Sequence, residues 1–144
     1  MLKGIVSLLF VCISYASFSQ VDTIRTLQLI NERGGYEKLV ERFNNSDTTL
    51  TIEEFQLIYY GYQTTKTYYS KENEFKETLI KPLNKSGQYK LVIELADSIL
   101  FFNPVSLVAH FEKAFACAQL GLTTLEDFHQ KRYIVLCNVI KLSG

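Results

Sequence analysis

Gly87 and Gly121 stand 34 residues apart, and the chain between them reads as one helix–turn–helix unit. From Gln88 to Phe102, Leu91/Val92, Leu95/Ala96 and Ile99/Leu100 recur every four residues, against Lys90, Glu94, Asp97 and Ser98 on the other side. Asn103-Pro104 breaks that pattern, because the residue before a proline is pushed away from helical backbone. Ser106 is placed to cap a second helix, whose expected apolar face is Leu107, Phe111, Ala114, Phe115 and Ala118 and which Gly121 closes. A period of about 34 residues belongs to stacked helical hairpins, which bury one face against their neighbours and present a surface to partners. It confines the chain to an all-α fold in which helical hairpins form a degenerate right-handed array. The repeat is worn: Lys113, Ala114 and Cys117 stand where a regular unit places large packing residues, and the N-terminal half does not continue the period.

Upstream, a short helix is expected from Asp22 or Thr23 to Glu32, with Ile24, Leu27 and Ile30 at helical spacing and Gly34-Gly35 as its stop. Tyr36 to Phe43 sets Leu39, Val40 and Phe43 against Glu37, Lys38, Glu41 and Arg42, and Asn44 to Asp47 is turn chemistry. Thr51-Ile52-Glu53-Glu54 is a capping box opening a helix through Tyr62. Thr64 to Ser70 has strand propensity but no partner strand, so it reads as an extended connection. Glu74 to Asn84 reads as a helix with Pro82 near its end. The total is about six to seven helices. The final helix, from Thr123 or Thr124, is apolar on nearly every side over Tyr133-Ile134-Val135-Leu136-Cys137 and Val139-Ile140. Either it lies centrally or further polypeptide normally packs on it. The second is the preferred reading and makes this a shortened domain, expected to be marginally stable or to self-associate.

Residues 1–19 read as a cleavable signal peptide, with Lys3 as the positive end, Ile5 to Ile13 as the apolar run and cleavage before Gln20. The run is too short for a membrane span of roughly 20 residues. A lipoprotein anchor on Cys12 is the competing reading, disfavoured by the bulky Val11 before it. The chain is therefore expected in the periplasm or outside the cell, with residues 20–144 as a single helical domain. Fifteen basic and fifteen acidic residues balance, so no cationic footprint for nucleic acid exists. If the last two helices are antiparallel across Gly121, Cys117 lies about nine residues out of register with Cys137, or about 13 Å at ~1.5 Å per residue. That exceeds the ~7 Å reach of a disulfide, and two free thiols are expected.

Few residues offer chemistry. His110 and His129 are the only two histidines and in the same register fall about 9 Å apart. No Cys-x-x-Cys or His-Glu-x-x-His spacing exists, so neither a metal nor another cofactor is expected. A Cys117–His129 dyad across the turn is conceivable as a nucleophile, but Cys117 sits among Ala114, Ala116 and Ala118 and reads as a buried, inert thiol. Glu53-Glu54 and Glu72/Glu74 sit at helix starts, where the dipole favours them, and Lys81, Lys85 and Lys90 read as solvated surface. The distinctive string is Leu57-Ile58-Tyr59-Tyr60-Gly61-Tyr62, with Tyr68 and Tyr69 following. Clustered tyrosines supply amphipathic contact area for a partner, peptide or glycan; equally, Tyr59 and Tyr62, three apart, pack on one helical face. Tyr59, Tyr60, Tyr62, Tyr68 and Tyr69 are the candidate binding surface. Gly61 in a helix costs about 1 kcal/mol relative to alanine and predicts a close backbone approach.

That string, preceded by Leu50-Thr51-Ile52-Glu53-Glu54-Phe55, resembles the core of an exported bacterial family, domain of unknown function 4919. Asn103-Pro104 and the closing Ser143-Gly144 look similar to the same family. Two departures stand out: the family places a proline near the second tyrosine cluster, where this chain has Tyr68-Tyr69-Ser70-Lys71, and its members continue past the Ser-Gly. The resemblance implies an exported helical-repeat-like domain, with tetratricopeptide-like character in its second half, and assigns no catalytic residue. The expected function is that of a non-catalytic interaction module whose partner is another envelope or extracellular protein or peptide. The alternatives are a small-molecule or glycan binder using a tyrosine-lined pocket and a Cys/His hydrolase.

Overall fold

In a computed structural model the described residues, 22–68 and 70–143, form seven helices. They are α1 (Thr23–Glu32), α2 (Tyr36–Asn44), α3 (Ile52–Gly61), α4 (Lys71–Lys85), α5 (Tyr89–Phe102), α6 (Leu107–Gln119) and α7 (Thr123–Ser143). The segment read as a signal peptide lies outside the described residues, as does Tyr69. Among the described residues there is no strand, and no helix is long and apolar enough to cross a membrane.

Side-chain caps set most helix starts. Asp22, Ser70 and Ser106 each accept from the backbone N–H three residues on. At α3 the full capping box forms: Glu54 N donates to Thr51 Oγ1 (3.2 Å) and Thr51 N to Glu54 Oε2 (2.9 Å). The Ser70 cap starts α4 three residues earlier than the apolar pattern suggests. Pro82 sits in its last turns, where few ladder bonds remain to be lost. Gly87 and Gly121 close α4 and α6 with φ of 76° and 71°, the left-handed conformation that glycine adopts without cost.

Thr64 to Ser70 is neither strand nor simple extended linker. A 3-10 turn, Tyr62–Thr64, continues α3, and Thr64 Oγ1 and Thr65 Oγ1 donate to the carbonyls of Gly61 (2.7 Å) and Tyr62 (2.8 Å). The threonine hydroxyls thus stop the helix, the local competition such side chains offer to regular structure.

Two apolar clusters make the core. Ile30, Leu39, Phe43, Leu57, Ile58 and Tyr62 fill the N-terminal half, with Val105 and Leu136 reaching in from the other half. Ile80, Val92, Ala96, Ile99, Ala109 and Ala116 fill the C-terminal half, where α4, α5 and α6 pack in succession. The last helix, α7, packs on both α6 and α3 and so joins the halves, with Leu136 and Val139 fully buried. Central placement therefore accounts for part of its apolar character, while Ile134, Ile140 and Leu142 remain exposed.

The buried face of α6 differs from the expected one. Phe111 and Phe115 are 49% and 45% exposed, whereas Ala109, His110, Glu112, Lys113, Ala116 and Cys117 are buried. Helices on two sides leave α6 room only for small residues and for polar groups that find partners. Asn84 Nδ2 donates to the Glu112 carbonyl (2.8 Å) and to Glu112 Oε2 (2.6 Å), and Lys113 pairs with Asp97 of α5. Burial of polar groups is tolerated when they are hydrogen-bonded, a condition that apolar periodicity cannot register.

Candidate functional site

The tyrosine string is first of all framework. A Cβ on Gly61 would stand 2.6 Å from Ile30 Cδ1 and 3.1 Å from the Tyr36 ring. The close approach inferred at Gly61 is therefore real, but it is made by side chains of α1 and α2 rather than by backbone. Tyr36 Oη donates to the Ile58 carbonyl (3.1 Å), fixing α2 against α3, and burial raises its phenol well above the usual range. Tyr62 is buried, its hydroxyl donating to the Thr67 carbonyl (3.1 Å) and its ring meeting the edge of Tyr68 at 5.4 Å. Tyr59 and Tyr60 are half-buried and meet edge to face at 5.1 Å, and the Tyr60 hydroxyl bonds Ser143 of α7.

Folding the string this way throws the 62–68 loop out as a partition between two concavities. On one side Tyr59, Tyr62 and Tyr68 line a cleft of about 280 Å³ with Glu77, Asn103 and Ser106. On the other lies a larger groove, about 850 Å³, walled by α2 (Tyr36, Glu37, Val40, Glu41), by Thr64–Thr67, and by Phe101, Phe102 and Pro104 at the end of α5. Thr67 Oγ1 donates to the Phe102 carbonyl (3.0 Å) and pins the loop to α5. Phe101 is 81% and Phe102 41% exposed, their rings edge to face at 4.9 Å. Volumes of roughly 300–1,000 Å³ are typical of ligand sites.

Beneath the groove, the histidines expected about 9 Å apart are in contact. Their Nδ1 atoms lie 3.0 Å apart, and His110 Nε2 lies 3.0 Å from the carbonyl of the groove residue Pro104. A carbonyl only accepts, so His110 carries its proton on Nε2, its Nδ1 accepts, and His129 Nδ1–H donates. Both rings are neutral, with pKa values pushed down to about 4 and about 3, mainly by burial and further by Arg132 and Lys113. The register counted from Gly121 with ideal antiparallel helices therefore does not hold for α6 and α7.

With His129 engaged by His110, no bond links it to Cys117. That thiol is fully buried, and burial raises its pKa. Cys117 and Cys137 are both free. Among the described residues no three His, Cys, Asp or Glu side chains converge as metal ligands. Glu53 pairs with Arg33 (2.6 Å) and Glu72 with Lys76 (2.6 Å), while Glu54 serves both the capping box and Arg42.

Residues 26–144 match the profile of a family described as Domain of unknown function (DUF4919). The chain belongs to this family. The match spans the tyrosine string, both concavities and the histidine pair of this DUF4919 domain. No curated protein and no solved structure matches the chain.

Two features of the DUF4919 domain escaped the sequence. One is the exposed Phe101–Phe102 pair, for which a signal existed: four apolar residues in a row, Ile99 to Phe102, cannot all face one core at helical spacing. The other is Arg132 of α7. Its Nη2 donates to the carbonyls of Phe43 (2.6 Å) and Asn44 (2.9 Å) and to Ser46 Oγ (3.1 Å), capping the end of α2 from across the molecule. The guanidinium also lies over the Phe128 ring, 3.3 Å from its centroid. Nothing local to Arg132 announces that role.

Proposed function

We propose that this DUF4919 chain is an exported, non-catalytic interaction module, periplasmic or secreted, that holds a segment of another envelope or extracellular protein in the groove between α2 and the end of α5. In this reading the glycine-closed hairpins of the second half act as a worn tetratricopeptide-like scaffold. One observation carries it: an exposed pair of phenylalanines stands at the rim of a groove of about 850 Å³ whose other walls are braced by the tyrosine framework. Large exposed aromatics contiguous with a concavity are what binding surfaces present. The neutral histidine pair and the buried Cys117 support the non-catalytic part, since neither offers an accessible nucleophile with a base beside it.

A photo-crosslinking residue at position 101, in cells carrying the protein, tests this. A discrete adduct that is lost when the probe is moved to exposed Lys81 is the expected result, and adducts equally frequent at both positions sink the reading. A second reading, a small-molecule or glycan binder, rests on the cleft in which Tyr59, Tyr62 and Tyr68 meet Asn103 and Glu77. Saccharide-array binding abolished by Tyr68→Ala and untouched by Phe101→Ala would favour it over the groove.

A further inference from the structure

The groove carries charge as well as aromatic surface, and the charge is one-sided. Glu37 and Glu41 lie one turn apart on α2, are both exposed, and line the groove without an ion pair among the described residues. Of the other carboxylates of this half, Asp47, Glu53 and Glu54 are each paired with an arginine, Asp22 caps α1 and Glu32 accepts from Gln28, and none of these lines the groove. Asn44 and Asn45 continue the same wall, the end of α2 itself being capped by Arg132. Facing them stand Phe101 and Phe102, whose ring faces carry negative potential. Lys66, on the opposite wall, is the single cation among the lining residues.

We infer that the groove recognises a cationic segment: an extended stretch of a partner protein in which lysine or arginine alternates with large apolar side chains. This rests on the groove reading above and gives it a chemistry. A guanidinium or ammonium group seated between the α2 carboxylates and the phenylalanine faces gains from both, and the alternate apolar residues cover the exposed rings. An acidic segment would meet two unpaired carboxylates, so discrimination by sign follows. Lys66 repels the preferred ligand at one edge and biases its cations toward α2.

The test uses the purified protein and fluorescein-labelled synthetic peptides read by fluorescence anisotropy. One peptide alternates lysine with leucine and phenylalanine; the others replace lysine by glutamate, lysine by serine, or the apolar residues by glycine. The cationic–apolar peptide should bind, and more weakly as ionic strength rises from about 0.02 to about 0.3 M. Glu37→Gln with Glu41→Gln should weaken it about tenfold, and Phe101→Ala with Phe102→Ala by a similar factor. Lys66→Ala should tighten it about twofold, and Glu74→Gln, exposed and outside the groove lining, should change nothing. Glu37, Glu41, Lys66, Glu74 and Phe101 are exposed and Phe102 is 41% so, and far-UV circular dichroism checks that each variant keeps the fold. Serine or glutamate peptides binding as well as lysine, with the loss at Phe101 and Phe102 retained, would overturn the cationic reading and leave the groove in place. Binding to no peptide of the panel would also overturn it, while the crosslink at position 101 decides separately whether the groove is used.

Discussion

At Gly61 the fold turns on the absence of a methyl group. Alanine would improve the intrinsic propensity of α3 by about 1 kcal/mol, yet its Cβ would fall 2.6 Å from Ile30 Cδ1 and 3.1 Å from the Tyr36 ring. Ile30 is 2% exposed and Tyr36 is held by its bond to Ile58, so neither yields freely. We expect Gly61→Ala to destabilise by about 1–3 kcal/mol in urea unfolding. Ile30→Val removes the offending Cδ1, so the same Gly61→Ala change should cost less in that background. A cost that stays the same in both backgrounds would place the clash elsewhere.

Among the helices, α7 does more than complete a hairpin. Through Arg132 it caps α2, giving the Asn44 carbonyl a donor and the Phe43 carbonyl a second one beside the Ser46 N–H (3.2 Å), and through Leu136 it enters the N-terminal core. Burial draws the guanidinium down to about 10, which leaves it charged at neutral pH. Arg132→Met should destabilise by about 3 kcal/mol and speed amide exchange at the end of α2 more than in α5. Arg132→Lys should recover little, because an ammonium cannot reproduce the planar fork over Phe128 while reaching the carbonyls. Protection lost evenly across the chain would argue against capping as the mechanism. The glycine turns at 87 and 121, by contrast, were legible, because a left-handed residue ending a helix leaves a local mark in the sequence.

For the molecule as a whole, the histidine pair makes stability depend on acidity. Both imidazoles are neutral when folded, with pKa values below the ordinary 6.5 of an exposed ring. Unfolding exposes them to protonation, so their contribution is complete above about pH 6.5 and is lost as pH falls toward about 4. We expect the unfolding free energy to drop by several kcal/mol across that window, at up to about 1.4 kcal/mol per pH unit for each ring, and the slope to flatten in a variant carrying His110→Gln and His129→Leu. An unchanged slope would assign the acid sensitivity to carboxylates. Asp47, held down to about 2 by Thr49 and Arg42, loses its contribution lower, below about pH 4.

Helix class, caps and most boundaries were set by short-range chemistry, and the sequence alone determined them: Asp22, Thr51 and Ser106 act within three residues of themselves, and each helix followed. The close packing at Gly61 was readable too, from a glycine inside a helix, whereas the free thiols were expected from the same idealised register of α6 and α7 that misplaced the histidines. Which face of α6 is buried, which helix touches which, and where the site lies depend on groups far apart in the chain. Glu112 is buried because Asn84 meets it, His110 because His129 does, and the groove exists because α2 and the end of α5 converge around a loop that Thr67 ties down. Only the tertiary structure could decide these, since a polar residue's burial is permitted by its partner and not by its own hydrophobicity.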